Sequence, residues 1–141
     1  MTSIATLESP PVLLLVDDET EFREEFALLL SRRGCEVRTA ASGEIALREI
    51  AADRRIEVLV TDLRMPGMDG LALIDQARRR RTGNDYMGFI LVTGHGDFLN
   101  LTNEIQGANM TLLHKPVTIQ AFMGQLASIL ALVRRERAAA G

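Results

Sequence analysis

Four positions combine the right residue types to do chemistry, and each follows a short apolar run. Asp17 and Asp18 follow Val12-Leu13-Leu14-Leu15-Val16. Asp62 follows Val58-Leu59-Val60 and Thr61. Thr93 closes Phe89-Ile90-Leu91-Val92, and Lys115 comes just after Met110 to Leu113 and His114. Lys115 is the only lysine, because the other basic residues are fifteen arginines. An ammonium is a compact point charge on a flexible stem, whereas a guanidinium is a planar fork, so the two are not interchangeable. Three carboxylates brought together repel one another unless a cation joins them. Hard oxygen ligands without His or Cys point to Mg²⁺, which needs few protein ligands and keeps several waters. An ammonium and a hydroxyl facing that cation make a site for a three-oxygen anion such as a phosphoryl group. Asp62 can then serve as a nucleophile that forms an aspartyl phosphate, with Mg²⁺ and Lys115 neutralising charge on either side.

This chemistry requires the four positions to meet, and the pattern of elements explains how. Residues 1–11, ending in Pro10-Pro11, read as a disordered leader. From residue 12 to 133 five strand patterns alternate with five helical patterns, and 134–141 read as a short C-terminal tail. Four of the strand patterns are apolar runs, and the second is an alternating edge strand from Cys35 to Thr39. Gly34 is placed to end the first helix, while Ser42 and Thr118 are placed to cap the second and last. A weaker helix is expected around Phe98, Leu101 and Ile105, and the last carries a clean stripe from Ile119 to Val133. Strands alternating with helices imply a parallel sheet covered on both faces. All strand C-termini then share one edge, where open α/β folds bind ligands.

Taken singly, each residue has a plainer reading. Asp18 with Glu21 resembles a helix capping box, Asp62 suits a turn, and Thr93 suits a strand end. His95 and His114 read as exposed loop residues, Cys35 as a small strand hydrophobe, and Arg78 to Arg81 as a solvated helix end favoured by the macrodipole. Their joint occurrence at successive strand ends is what the plainer readings leave unexplained. Composition sets the outer bounds. The chain has 141 residues, 47% hydrophobic and 25% charged, with net charge −3, which suits one globular domain and gives no sign of a nucleic-acid binder. No secretory signal or membrane span is visible, and the lone cysteine fits a cytoplasmic location.

With these residues in view, the chain resembles the receiver domain of bacterial two-component response regulators. The likeness rests on Leu-Val-Asp17-Asp18-Glu19, Asp62-Leu-Arg-Met65-Pro66-Gly-Met68-Asp69-Gly70, Thr93-Gly-His-Gly-Asp97 and Lys115-Pro116, and covers residues 12–133. The resemblance implies a flavodoxin-like (βα)5 three-layer sandwich with strand order 2-1-3-4-5. It implies that Asp62 is the phosphoacceptor, and that Asp18, Asp62 and the backbone carbonyl of Arg64 bind Mg²⁺ directly, with Asp17 acting through water. Thr93 would hydrogen-bond the phosphoryl group and Lys115 would pair with it. The Lys115–Pro116 peptide would be cis.

The chain departs from the family pattern in one place. Receivers usually carry Tyr or Phe three residues before the lysine, where this chain has Leu112. Arg64 and His95, two places after Asp62 and Thr93, stand where side chains can shield an acyl phosphate from water. The expectation is a free-standing, phosphorylation-controlled binding module, not an enzyme. Its partners would be a sensor histidine kinase or histidine phosphotransfer protein and a downstream protein target, with no nucleic acid or membrane. The output face would lie on the fourth helix, last strand and last helix. The alternatives are a receiver fragment of a hybrid kinase or larger regulator, and an aspartyl-phosphate phosphatase. The phosphatase reading lacks an acid two places after Asp62, where Arg64 stands. A nucleotide-binding protein would need a Gly-rich phosphate loop, which is missing.

Overall fold

A computed structural model describes residues 9–94, 101–105 and 107–141. Five strands, β1 (Val12–Val16), β2 (Glu36–Ala40), β3 (Val58–Asp62), β4 (Gly88–Thr93) and β5 (Met110–His114), form one parallel sheet in the order β2-β1-β3-β4-β5. This is the flavodoxin-like arrangement. The helices are α1 (Thr20–Arg32), α2 (Gly43–Ala52), α3 (Gly70–Arg80) and α4 (Ile119–Ala140). The helix expected around Phe98 lies largely outside the described residues. Among those described, Thr102–Glu104 form a 3₁₀ turn.

Side chains alternate across a strand, so each apolar run supplies both faces of the sheet. Leu13, Leu15, Val60 and Ile90 pack with Phe26 and Leu30 of α1 and with Phe122, Leu126 and Ile129 of α4. Val16, Leu59, Phe89 and Leu91 pack on the other face with Leu47 and Ile50 of α2 and Leu73 and Ile74 of α3. Each fully buried aliphatic or aromatic side chain contributes roughly 1.5–3 kcal/mol of transfer free energy. The local signals that set the helix limits are in place. Ser42 Oγ accepts from Ile45 N at 3.2 Å, and Thr118 Oγ1 accepts from Ala121 N at 3.1 Å. Gly34 follows α1 with φ of +93°, a conformation that favours glycine. The capping box that Asp18 and Glu21 resemble does not form: α1 begins at Thr20 after Glu19, with no side-chain cap.

The edge of the sheet remote from the strand C-termini differs from expectation. Arg81, expected on a solvated helix end, is 5% exposed. Its guanidinium donates to the carbonyl oxygens of Ile50, Asp53, Arg54, Ile56 and Asp85 at 2.6–3.4 Å. It thereby caps the end of α2, where carbonyl oxygens lack partners within the helix. Residues 134–141 are also not a separate tail, because α4 continues to Ala140. Arg134 makes a forked pair with the Glu57 carboxylate at 2.8 and 3.1 Å, and Arg137 donates to the carbonyls of Tyr86, Arg54 and Ile56. Glu57 is itself buried and also accepts from Val12 N at 3.1 Å. These bonds give the last turns of α4 a reason to stay helical.

At Gly88 β4 passes close against α4. A Cβ there would overlap Ile129 Cγ2, a branched atom that cannot swing aside. Gly88→Ala is therefore expected to cost about 1–3 kcal/mol through overpacking. Urea unfolding should show a lower midpoint at an unchanged m-value.

Candidate phosphoacceptor site

The sheet brings the expected residues together at the C-terminal edge of its central strands. β1 ends just before Asp17, and β3 ends on Asp62, which pairs in register with Val92 of β4. Carboxylate oxygens of Asp17, Asp18 and Asp62 lie within 4.8 Å of one another. Lys115, directly after β5, places Nζ 3.3 Å from Asp62 Oδ2. The Lys115–Pro116 peptide is cis, as the resemblance implied.

Burial grades the three acids. Asp17 is 2% exposed, Asp62 is half-buried and Asp18 is exposed. Burial is the largest influence on Asp17 and raises its pKa above the ordinary carboxylate value. The hydrogen bond from Glu19 N to its Oδ1, at 2.9 Å, works against that rise, and the like charge of Asp62 adds to it. Thr93 is fully buried, and its Oγ1 has no hydrogen-bond partner among the described residues. A buried hydroxyl without a partner is costly and calls for an explanation. An incoming oxygen-rich group would satisfy it.

The loop from β3 to α3 is shaped at two glycines. Gly67 has φ of +79°, and Gly70 sits against the Asp62 carbonyl so tightly that a Cβ would collide with the backbone. Gly70 N donates to Leu63 O at 2.8 Å, and Asp69 caps α3 through Ala72 N at 2.8 Å. Arg64 is exposed on this loop and lines an open depression with Leu63, Met65, Pro66, Leu71 and Leu101. His95 lies outside the described residues. Leu112 is partly buried against the same core as Leu101 and Ile105.

Two contacts were not evident from the sequence. Arg23 donates to Asp17 O at 2.7 Å and steadies the turn into α1. The Phe22 ring lies under Lys115, with Nζ 5.2 Å from its centroid. In the sequence Phe22 reads as one member of a helical apolar stripe, and nothing in its spacing marks it as a neighbour of residue 115.

Known proteins give the same picture. Residues 13–127 match the family model for the response regulator receiver domain. The chain belongs to the response regulator receiver family. A solved receiver domain from Clostridium thermocellum is 29% identical and superposes with a TM-score of 0.77, over 89% of this chain and 98% of that one. The transcriptional regulatory protein AfsQ1 of Streptomyces coelicolor is 30% identical over 126 residues, covering 89% of this receiver and 54% of AfsQ1. The C4-dicarboxylate transport transcriptional regulatory protein DctD of Rhizobium meliloti is 34% identical over 110 residues, covering 78% of this receiver and 23% of DctD. This receiver thus spans about half or less of these two relatives. No described helix is long and apolar enough to cross a membrane.

The buried Asp17 gives a pH-dependent test on the metal-free protein. Its folded pKa is raised, so the folded state disfavours the ionised form. That penalty is absent below the unfolded value near 3.8 and grows as pH rises through the folded pKa. Asp17→Asn is expected to stabilise the metal-free receiver at pH 7, and the gain should vanish in strong acid. Thermal unfolding of both proteins across that range measures the difference.

Proposed function

We propose that this receiver takes a phosphoryl group onto Asp62, with Mg²⁺ bound by the acidic cluster, and that the modification changes its contacts with a downstream protein. The observation that carries this reading is the pairing of Lys115 Nζ with Asp62 Oδ2, beside two further carboxylates and the unpartnered hydroxyl of Thr93. The donor set fits Mg²⁺, being all hard oxygen with no His or Cys. Asp18, Asp62 and the Arg64 carbonyl would hold the ion, with Asp17 reaching it through water. When bound, the ion supplies positive charge to the crowded carboxylates and to phosphoryl oxygens.

The chain's own residues do the rest. An Asp62 carboxylate oxygen attacks phosphorus of a phosphohistidine on a sensor kinase or phosphotransfer protein. The new O–P bond forms as the N–P bond breaks, and the donor imidazole leaves with the electron pair and takes up a proton. Lys115 releases its bond to the carboxylate and holds a phosphoryl oxygen instead. Thr93 Oγ1 donates to another. Asp62 turns over no substrate in this scheme, and Arg64, in place of a second acid, offers no general base to speed hydrolysis. A cytoplasmic location fits such a donor. Relatives such as AfsQ1 and DctD are transcriptional regulatory proteins, so a target connected with transcription, in the same polypeptide or another, is consistent with this reading.

Exposure to acetyl phosphate and Mg²⁺ should add one phosphoryl group, located on Asp62 by mass spectrometry and lost in Asp62→Asn. Undiminished labelling of that variant would refute the assignment. Mg²⁺ should bind weakly, and Asp18→Ala should weaken it more than Asp17→Ala, since Asp18 is the direct ligand in this scheme. Equal affinities for wild type and both variants, by titration, would argue against the site. Lys115→Arg should still accept phosphate but show smaller amide NMR shifts on phosphorylation, because a planar guanidinium misplaces the charge.

A further inference from the structure

We propose that Phe22 is a positioning residue for Lys115, its ring forming a fixed seat for the ammonium that would engage the phosphoryl group. The inference rests on the reading of Asp62 as phosphoacceptor and adds a residue that the strand-end constellation does not contain. Lys115 is a third exposed along its side chain, and its long stem has substantial rotamer freedom to lose. Among the described residues, two groups restrain its end: the Asp62 carboxylate at 3.3 Å and the Phe22 ring at 5.2 Å from Nζ to centroid. That second distance lies within the range over which a ring face attracts a cation.

The two restraints differ in kind. The carboxylate is the group that changes in the reaction, since one of its oxygens becomes the acyl oxygen of the phosphorylated aspartate. The ring carries no charge and is unaltered, so its attraction for the ammonium persists before, during and after transfer. A lysine held by Asp62 alone would lose its anchor as the bond to phosphorus forms. A lysine seated on Phe22 keeps its place and needs only a small shift toward the new oxygens.

The seat is itself held. Phe22 and Phe26, one helical turn apart on α1, stack at 5.5 Å with an interplanar angle of 16°. Phe26 meets Phe122 of α4 edge-on at 5.0 Å and 81°, and Phe122 is fully buried. The ring also walls the apolar side of the site together with Val16, Asp17, Asp62, Val92 and Val117, around a cavity of about 10 Å³. That space holds about one water, so the ring has little room to move inward.

The uniqueness of Lys115 makes the test direct, because isotope-labelled lysine gives a single side-chain signal. In the unphosphorylated, metal-free wild type the ε-methylene protons should be displaced upfield by the ring current. In Phe22→Leu they should return to the position of a free lysine, and in Phe22→Tyr the displacement should be retained. Phosphorylation of Asp62 by acetyl phosphate with Mg²⁺ should slow by about two- to five-fold in Phe22→Leu. It should recover in Phe22→Tyr. A lysine signal unmoved by Phe22→Leu overturns the proposal, as does a Phe22→Tyr protein as slow as Phe22→Leu. If wild type takes no phosphate on Asp62, the phosphoacceptor reading fails, while the lysine signal still decides whether the seat exists.

Discussion

The close approach of three carboxylates is the constraint around which the site of this receiver is built. The oxygens of Asp17, Asp18 and Asp62 share a space under 5 Å across, and one of the three carboxylates is almost wholly buried. Charges at such separations repel strongly where water is scarce. The fold tolerates the arrangement because each acid has some compensation: Glu19 N for Asp17, Lys115 for Asp62, and solvent for Asp18. None of these removes the repulsion fully. A cation would relieve such a site, and an oxygen acceptor would satisfy the Thr93 hydroxyl, which has no partner among the described residues.

Holding charges in that geometry depends on a rigid frame. The three central strands are buried along almost their whole length, and helices close both faces through two separate apolar clusters. Interiors packed in this way resist small displacements. Gly70 and Gly88 show how tight the fit is at opposite ends of the sheet. One lies against the Asp62 carbonyl and the other against Ile129, and neither site has space for a methyl group.

Much of this was legible in the sequence because the signals were local. Apolar runs marked the strands, Ser42, Thr118 and Gly34 marked helix limits, and polar residues at strand ends marked the shared edge. The sheet order and the site came from assembling those signals with the family motifs. What escaped detection was long-range. Arg81 reads as the last member of an arginine run, and its burial depends on carbonyls 25 to 31 positions earlier and one four positions later. Arg134 and Arg137 seemed to lie past the final apolar residue, yet Glu57 and the carbonyls of Arg54, Ile56 and Tyr86 draw them into the fold. Phe22 escaped for a related reason, since a helical stripe specifies which face is buried but not which distant cation rests on it.

The carbonyl bonds of Arg81 also give one end of the molecule a joint that acidity leaves untouched. A guanidinium keeps its proton at any ordinary pH, and a peptide carbonyl has no proton to gain or lose in that range. The joints that Arg81 makes with α2 and the start of β3 therefore hold equally in acid and at neutrality. Carboxyls with displaced pKa values stand at both ends. Burial raises Asp17 at the strand C-terminal edge, while the backbone N–H of Arg55 lowers Asp53 and the Arg54 guanidinium lowers Asp85 beside Arg81. Acidification therefore relieves the buried Asp17 and weakens the bonds of Asp53 and Asp85 beside Arg81, while the bonds from Arg81 to the carbonyls persist and keep α2 tied to the start of β3.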